Sequence, residues 1–263
     1  MRSRNTSASV ILPVATDPLQ LRALELVGLI CHDLRTPACT IAGFADLLLD
    51  YGKTPLTVDQ RGSLERIRKN AHFMLDLVAS MMDMVRLENG QVKLETRRTD
   101  LCSLARETAE SAMILAAPKQ ILVVRELPDD PLDAMVDRGR MTQVLSNLLS
   151  NAVKFSRPGT TVSIGARRVG TSHEIWVKDE GPGIPESEQA MLFGKFSRTS
   201  VKPTAGEKSC GLGLYIVKEI LGLHSGSIQV ESRPRAGSTF RVRLPALERQ
   251  RAFDDTLPRQ AVP

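Results

Sequence analysis

The chain has 263 residues, of which 42% are hydrophobic and 25% are charged, and its formal net charge is +5. These proportions are typical of a globular protein, and the length suits two domains. No stretch approaches the roughly 18 apolar residues that a membrane-spanning helix needs. The early apolar patch VILPVA contains a proline and is too short for a signal peptide. We therefore expect a cytoplasmic protein without a membrane span, with a mobile arm at residues 1–20 and a flexible tail at residues 248–263.

Arginines are frequent near the C-terminus, but no aromatic residues alternate with them. A solvated surface is therefore favoured over a nucleic-acid interface. The cysteines lack the spacing of metal ligands, and a reducing cytoplasm does not support disulfides. We expect free thiols at Cys31, Cys39, Cys102 and Cys210.

Apolar residues recur at alternating steps of three and four from residue 24 to residue 48, which predicts a helix with a heptad seam. The seam consists of Leu24, Val27, Cys31, Leu34, Ala38, Ile41, Ala45 and Leu48. A second helix is predicted from a capping box at Thr57 and Gln60 to a C-terminal glycine at Gly90. Its seam consists of Leu64, Ile67, Ala71, Met74, Val78, Met81 and Val85. Residues 21–92 are therefore predicted to form an antiparallel helical hairpin.

Each helix of this hairpin has further apolar residues beside its seam. They are Leu26, Leu29, Ile30 and Leu47 on the first helix, and Phe73, Leu75 and Leu77 on the second. One hairpin cannot cover two such faces, whereas two hairpins in a four-helix bundle can. The pattern therefore predicts a homodimer.

The stretch ICHDLRTPA at residues 30–38 places a proline inside the first predicted helix. Pro37 lacks the N–H that would bond the Asp33 carbonyl, so the helix should bend just after His32. A proline in a helix interior costs about 3 kcal/mol, and such a violation usually has a functional reason. His32 lies one residue off the seam, where a side chain is partly exposed. We therefore interpret His32 as a reactive residue.

Beyond residue 95 the pattern alternates between helices and strands. Helices are predicted at residues 99–117, with Asp100 near the cap, and 138–155. Strands are predicted at residues 121–127, 133–137, 161–169, 173–179, 226–232 and 238–245, with a hairpin turn at Gly170. These elements predict one sheet that is covered by helices on one face.

Two clusters in this second region have side chains that suit a ligand. Asn147 and Asn151 lie four residues apart on one helix face, and Lys154 follows one turn later. The segment LFGKFSR contributes Phe193 and Phe196.

Two glycine-rich stretches accompany these clusters. Asp179 ends a predicted strand and is followed by Gly181 and Gly183, which would let the backbone approach a ligand closely. Gly211 and Gly213 open a predicted helix, whose first N–H groups form a ready phosphate site. One Gly-x-Gly is weak evidence of a nucleotide site, but two at loop boundaries beside an Asn-x-x-x-Asn helix are strong.

In their order along the chain, these features resemble those of the histidine protein kinases. HDLRTP resembles the phospho-acceptor motif of that family, and the later features resemble its ATP-binding domain, whose fold is shared with gyrase and a heat-shock chaperone. The resemblance covers residues 22 to about 246. It implies an α+β protein in which a helical hairpin forms a dimeric four-helix bundle. An α/β sandwich that binds ATP would follow at residues 93–247.

The resemblance also implies roles for individual residues. Asp179 would accept a hydrogen bond from the adenine amino group, and Asn151 would bind Mg²⁺ with support from Asn147. Lys154 would offset phosphate charge. The full implied nucleotide site comprises Asn147, Asn151, Lys154, Asp179, Gly181, Gly183, Phe193, Phe196, Gly211, Leu212, Gly213 and Leu214.

The segment between Phe196 and Cys210 would form a mobile lid. Its Arg198, Lys202 and Lys208 could reach the phosphates. Related ATPases have a glutamate where this chain has Asn147, and an amide cannot activate water. Transfer to another acceptor is therefore favoured over hydrolysis. Cys210 also departs from the family pattern, and the thiol could make the lid sensitive to oxidation.

The mechanism implied is transfer of the γ-phosphoryl group of ATP to His32, with Asp33 accepting a hydrogen bond from the other ring nitrogen. The group would then pass to an aspartate of a separate response-regulator receiver domain. An upstream sensory partner protein is expected to bind the bundle.

Thr36 lies one helical turn after His32 on the same face. In this family a threonine at that spacing is associated with dephosphorylating the partner, since its hydroxyl could hold the attacking water. The alternative is that Thr36 bonds a backbone carbonyl freed by Pro37.

Two other functions remain open at this stage. The chain could be a non-catalytic docking scaffold that binds ATP without transferring it, or a serine kinase of the anti-sigma type. The presence of His32, Asp33, Asn151 and both glycine stretches argues against the scaffold, and HDLRTP argues against the serine kinase.

Overall fold

The computed structural model describes residues 18–52 and 54–247. The predicted tail and all but the last three residues of the predicted arm lie outside the described residues. The chain divides into two compact units, with the division after Lys93. None of the helices in the described ranges is both long and apolar enough to cross a membrane.

The first unit is a hairpin of two long helices, α1 (Pro18–Asp50) and α2 (Val58–Glu88). The predicted capping box is confirmed, because the Thr57 side chain accepts from the Gln60 N–H and the Gln60 side chain accepts from the Thr57 N–H. At the other end of α2, Gly90 has a left-handed φ of 62°. Both ends of the helix are therefore fixed by local sequence, as predicted.

Small residues dominate the contact between α1 and α2. Cys31, Ala38, Ala42 and Ala45 of α1 are buried, as is Ala71 of α2. Alternate members of the predicted seam are not buried within one chain: Leu34, Ile41 and Leu48 are 52%, 42% and 45% exposed. Within one chain the predicted seam is therefore only partly covered. Its small residues face α2, and its large residues face outward with Leu26, Leu29, Ile30, Phe44 and Leu47.

The second unit alternates helices and strands. In chain order the elements are β1 (Arg97–Asp100), α3 (Leu101–Ala116), β2 (Leu122–Glu126), β3 (Asp133–Val136), α4 (Arg138–Phe155), β4 (Thr161–Val169), β5 (Ser172–Asp179), α5 (Glu186–Gln189), α6 (Gly213–Leu223), β6 (Ser227–Ser232) and β7 (Ser238–Pro245). A 3-10 turn, Ala117–Lys119, follows α3. The predicted helices and strands are all present, and β1 and α5 are additions to them.

The strands form two sheets rather than the single sheet that the sequence pattern predicted. The main sheet has the order β2-β4-β5-β7-β6, in which only β2 and β4 are parallel. β3 instead pairs with β1. Asp100 anchors this small sheet, because its carboxylate caps α3 at Cys102 and Ser103 and also accepts from the Leu132 N–H.

Helices α3, α4 and α6 pack on one face of the main sheet. Alternate strand residues point into this layer, including Ile164, Val177 and Val242, which are fully buried. On the opposite face Trp176 lies over Gly165, where a side chain would leave no room for the indole ring. The core between helices and sheet therefore fixes the strand ends and loops that carry the candidate ligand site.

Candidate phosphotransfer and nucleotide sites

His32 projects from α1 into solvent. Its side chain is 78% exposed, and its Nδ1 lies 3.2 Å from Asp33 Oδ1. With Nδ1 occupied by the carboxylate, Nε2 is the ring nitrogen available for an external reaction. The structure thus brings together the two residues that the sequence had singled out.

Thr36 also lies on the exposed surface of α1, which continues as a helix through Pro37. The Thr36 carbonyl accepts a bond from the Thr40 hydroxyl at 3.0 Å. This extra side-chain bond supports the backbone beside Pro37, which lacks an N–H. The carbonyl that Pro37 leaves without its helical partner is that of Asp33, so this bond does not replace the backbone role considered for Thr36, which stays a prediction.

Asp179 is 5% exposed at the end of β5. Its Oδ1 accepts from the Gly181 N–H at 2.8 Å and from the Ser238 N–H at 3.2 Å. Burial raises the pKa of this carboxyl to about 6, although the two hydrogen bonds act to lower it. Because both bonds go to Oδ1, the second oxygen retains capacity to accept from a ligand.

Other atoms of the protein lie so close to Gly181 and Gly183 that neither position has room for a side chain. A Cβ at Gly181 would lie 2.7 Å from Asp179 Oδ1, and one at Gly183 would lie 1.9 Å from the Arg233 carbonyl oxygen. Gly183 also has a φ of 71°. These glycines were predicted to allow close approach to a ligand, but the close contacts in the structure are to protein atoms. The two glycines thus allow the loop after Asp179 to pack closely against the segment around Arg233.

The asparagine helix α4 meets the start of α6. Asn147 and Asn151 are half-buried on α4, and a Cβ at Gly213 would lie 3.5 Å from Asn147 Oδ1. Helix α6 begins at Gly213, and Leu212 at its N-cap provides no side-chain hydrogen bond. The first turn of α6, which includes Leu214, thus lies beside the asparagines without a side-chain cap, and the phosphate site there stays a prediction.

The two ends of the predicted lid, at Phe196 and Cys210, lie close together in the structure. Phe196 has a left-handed φ of 55°, and a Cβ at Gly211 would lie 2.8 Å from the Phe196 carbonyl carbon. The Phe196 side chain is 52% exposed, whereas Phe193 is half-buried. These contacts close the base of the lid without using its side chains.

Lys119, at the end of the 3-10 turn, is a further residue of this region that no sequence motif indicates. Its Nζ contacts both the last turn of α4 and the lid. A lysine between a helix and a strand gives no signal in the sequence, because the partners lie 34 to 88 positions further along the chain. Only the folded chain brings it to the site.

The residues present fit a magnesium nucleotide. Asp179 offers a carboxylate oxygen, α6 offers uncapped N–H groups, and α4 offers two amide side chains. Amide and carboxylate oxygens are suitable ligands for Mg²⁺, which usually shares its coordination with phosphate oxygens. Lys154 follows on α4 and adds a cation near this group of donors.

Two family models match the chain, and they match the two units separately. Residues 23–90 match the His Kinase A phospho-acceptor domain. Residues 136–248 match the histidine kinase-, DNA gyrase B- and HSP90-like ATPase. The acceptor match contains His32, and the ATPase match contains Asn147, Asp179 and Gly213.

Histidine kinases are also the proteins that this chain is similar to over its length. It is 37% identical over 225 residues to the circadian input-output histidine kinase CikA of Synechococcus elongatus, covering 84% of this chain and 30% of CikA. It is 37% identical over 236 residues to the sensor histidine kinase TrcS of Mycobacterium tuberculosis, covering 88% of this chain and 45% of TrcS. The chain thus spans less than half the length of either relative.

The solved structures agree with these sequence comparisons. Full-length ShkA in complex with AMPPNP has a TM-score of 0.68 and 28% identity, over 88% of this chain and 46% of ShkA. The catalytic domain of the histidine kinase ThkA has a TM-score of 0.52 and 28% identity, over 58% of this chain and 96% of that domain. The chain belongs to the histidine protein kinases of two-component signalling, and it contains their acceptor and ATP-binding domains.

Proposed function

We propose that this chain transfers the γ-phosphoryl group of ATP to Nε2 of His32. The observation that carries the proposal is the contact between His32 Nδ1 and the Asp33 carboxylate, which leaves Nε2 outward. As a hydrogen-bond acceptor, Asp33 holds the proton on Nδ1 and raises the nucleophilicity of Nε2. Attack forms an N–P bond at His32 and breaks the bond between the γ-phosphorus and the oxygen that bridges it to the β-phosphate.

The nucleotide is proposed to bind between Asp179, α4 and α6. Asp179 accepts from the adenine amino group through its second oxygen, and the first N–H groups of α6 bind phosphate oxygens. Asn151, supported by Asn147, supplies an amide oxygen to Mg²⁺, which offsets charge on the phosphates when bound. Lys154 acts as a further positive charge near the phosphates.

The phosphohistidine is proposed to pass its phosphoryl group to an aspartate of a response-regulator receiver domain on another protein. The kinase is proposed to act as a homodimer, since α1 exposes Leu26, Leu29 and Phe44. It is proposed to act in the cytoplasm, where ATP is available and where the free thiols seen at Cys31 and Cys102 persist. An upstream sensory partner would act on the bundle.

The test uses the full chain with γ-labelled ATP and compares His32→Gln with His72→Gln. His72 is a matched control, because it is a half-exposed histidine on α2 with an aspartate, Asp46, at 3.8 Å. We expect His72→Gln to become labelled like the wild type with phosphate that is acid-labile and base-stable. We expect His32→Gln to bind AMPPNP normally and to remain unlabelled.

Each rival function gives a different result in this experiment. Acid-labile label on His32→Gln would refute His32 as the acceptor. Acid-stable phosphate on the wild type would indicate a serine kinase. Normal AMPPNP binding without any label on the wild type would indicate a docking scaffold.

A further inference from the structure

Lys119 has four close partners around one ammonium group. Its Nζ donates to the carbonyls of Val153 at 2.9 Å and Lys154 at 3.0 Å, which belong to the last turn of α4. It also donates to the Thr204 hydroxyl at 2.9 Å and forms an ion pair with Glu207 at 2.6 Å. The side chain is only 10% exposed, so these contacts are sheltered from water. We call this group of contacts the Lys119 clamp.

The lid part of the clamp is a turn at residues 204–207. The Thr204 N–H donates to the Lys154 carbonyl, and the Thr204 hydroxyl donates to the Ser156 carbonyl at 2.6 Å. Glu207 accepts from the Ala205 N–H at 2.9 Å and is 22% exposed. Burial acts to raise the pKa of Glu207, but the hydrogen bond and charge of Lys119, together with backbone N–H donors, hold the pKa below its ordinary value. Glu207 is therefore ionised at neutral pH.

The clamp joins the end of α4 to the predicted lid. The end of α4 carries Asn151 and Lys154, and the lid carries Lys202 and Lys208 on either side of the anchored turn. A loop that must become ordered when ligand binds loses affinity through the entropy of ordering. A loop that is already anchored before the ligand binds loses less affinity in this way.

We propose that Lys119 is a positioning residue that orders the lid for the phosphates of ATP before the nucleotide binds. The inference rests on the proposed function and extends it to a residue outside the motifs of the site. Lys119 itself holds carbonyl and carboxylate oxygens, so its charge is neutralised by Glu207. Its contribution is to position the lid, and the phosphate contacts belong to the lid and α6.

The test compares the affinities of wild type and Lys119→Met for AMPPNP and for adenosine, which has no phosphates. With the clamp lost, we expect about tenfold weaker AMPPNP binding and unchanged adenosine binding. Calorimetry serves for AMPPNP and ligand-observed NMR for adenosine. The control is Lys218→Met, which changes an exposed lysine on α6 and should bind both ligands like the wild type. Lys119→Arg should restore part of the AMPPNP affinity, because it can still donate to the same oxygens.

Glu207→Gln provides a second variant that does not touch the core. It removes the charge of the ion pair on the lid side, and we expect a smaller loss of AMPPNP affinity with adenosine binding unchanged. If Lys119→Met fails to fold, Glu207→Gln carries the same comparison.

Three outcomes would overturn the proposal. Unchanged AMPPNP affinity in both variants would show that the clamp does not order the lid for phosphates. Equal losses for AMPPNP and adenosine would show a structural role only, and tighter AMPPNP binding would show a latch that opposes the nucleotide. A wild-type chain that does not bind AMPPNP would instead refute the proposed function.

Discussion

The carboxyl group of Asp179 is nearly inaccessible at the end of β5, and burial raises its pKa to about 6 from an ordinary value of 3.8. Because the folded pKa is the higher one, ionisation of Asp179 opposes folding. This penalty is absent below pH 3.8, grows between pH 3.8 and about 6, and is complete above that range. The ionised carboxylate is, however, a stronger acceptor for an amino group than a neutral acid or amide.

Asp179→Asn should therefore stabilise the ATP-binding domain while abolishing its binding of adenosine. At pH 7.5 the free energy of unfolding should rise by up to about 3 kcal/mol, since each unit of pKa shift corresponds to about 1.4 kcal/mol. Near pH 4 the two proteins should unfold at nearly the same temperature. Thermal unfolding between pH 4 and pH 7.5, with adenosine titrations at pH 7.5, measures both effects.

A stability difference between wild type and Asp179→Asn that does not change with pH would contradict this account. Asp133→Asn is an informative control. Asp133 pairs with Arg98 on the small sheet, away from the Asp179 loop, so its substitution should leave adenosine binding intact.

Thr36→Ala tests whether the Thr36 hydroxyl acts in the phosphatase reaction. If the hydroxyl holds a water for attack on the phospho-aspartate, the variant should label His32 and transfer phosphate nearly normally. The phosphorylated receiver should persist about tenfold longer or more, because the loss of one positioned hydrogen bond typically slows a reaction by one to a few powers of ten. The lifetime of the phosphorylated partner measures the effect.

The matched control is Thr40→Ala, which removes the hydroxyl that bonds the Thr36 carbonyl. If kinase and phosphatase activities fall together in Thr36→Ala, helix damage is the explanation. An unchanged partner lifetime would exclude a phosphatase role for Thr36.

At the scale of elements, the lid depends on a contact between its two ends. Gly211 has a φ of 75°, and a Cβ there would lie 2.6 Å from the Ser197 carbonyl oxygen. A side chain at this position meets both a left-handed backbone, at roughly 1–2 kcal/mol, and a backbone clash that no rotamer relieves. The end of the lid and the start of α6 must shift together to relieve it.

Gly211→Ala should weaken AMPPNP binding at least tenfold in the folded protein, because the N–H groups of α6 that we propose to bind phosphate follow directly after Gly211. Gly170→Ala is the matched control: Gly170 has a φ of 59°, but a Cβ there meets nothing within 4 Å. Gly170→Ala should lower the free energy of unfolding and leave the affinity for AMPPNP unchanged. Equal AMPPNP affinities in the two variants would show that the base of the lid does not position the nucleotide.

At the scale of the whole molecule, α1 exposes more apolar surface than a single hairpin can cover. Ile41 and Leu48 are 42% and 45% exposed, with Phe44 at 62% between them. Contiguous apolar patches of this kind mark interaction sites, and pairing with a second hairpin would bury them. The outward half of the predicted seam thus supports the proposed dimer.

Ile41→Glu with Leu48→Glu should convert a dimer into a monomer, because the dimer would have to bury two carboxylates without partners. Light scattering at micromolar concentration measures the mass of the full chain. Ile114→Glu is the control, since Ile114 is 77% exposed on α3 in the other unit and its substitution should leave the mass unchanged. A monomeric wild type would refute the dimer outright.

The sequence by itself determined what depends on neighbours along the chain. The capping box at Thr57, the cap at Asp100, the turn at Gly170 and the bounds of α4 follow from local hydrogen bonds and side-chain periodicity, and the structure confirms them. The contact of His32 with Asp33 is equally local. The order of motifs along the chain was sufficient to indicate the family.

Only the tertiary structure decided what depends on residues distant in sequence. Periodicity could not divide the α1 seam between α2 and an outer face, because both faces are apolar. It could not pair β3 with β1, since a strand's partner leaves no mark in its own residues. The contacts of Gly183 with Arg233 and of Lys119 with Glu207 join positions that meet only after the sheet and helices have packed. The geometry of the site depends on such long-range contacts, because they determine which groups are buried, which charges are paired and where the backbone is strained.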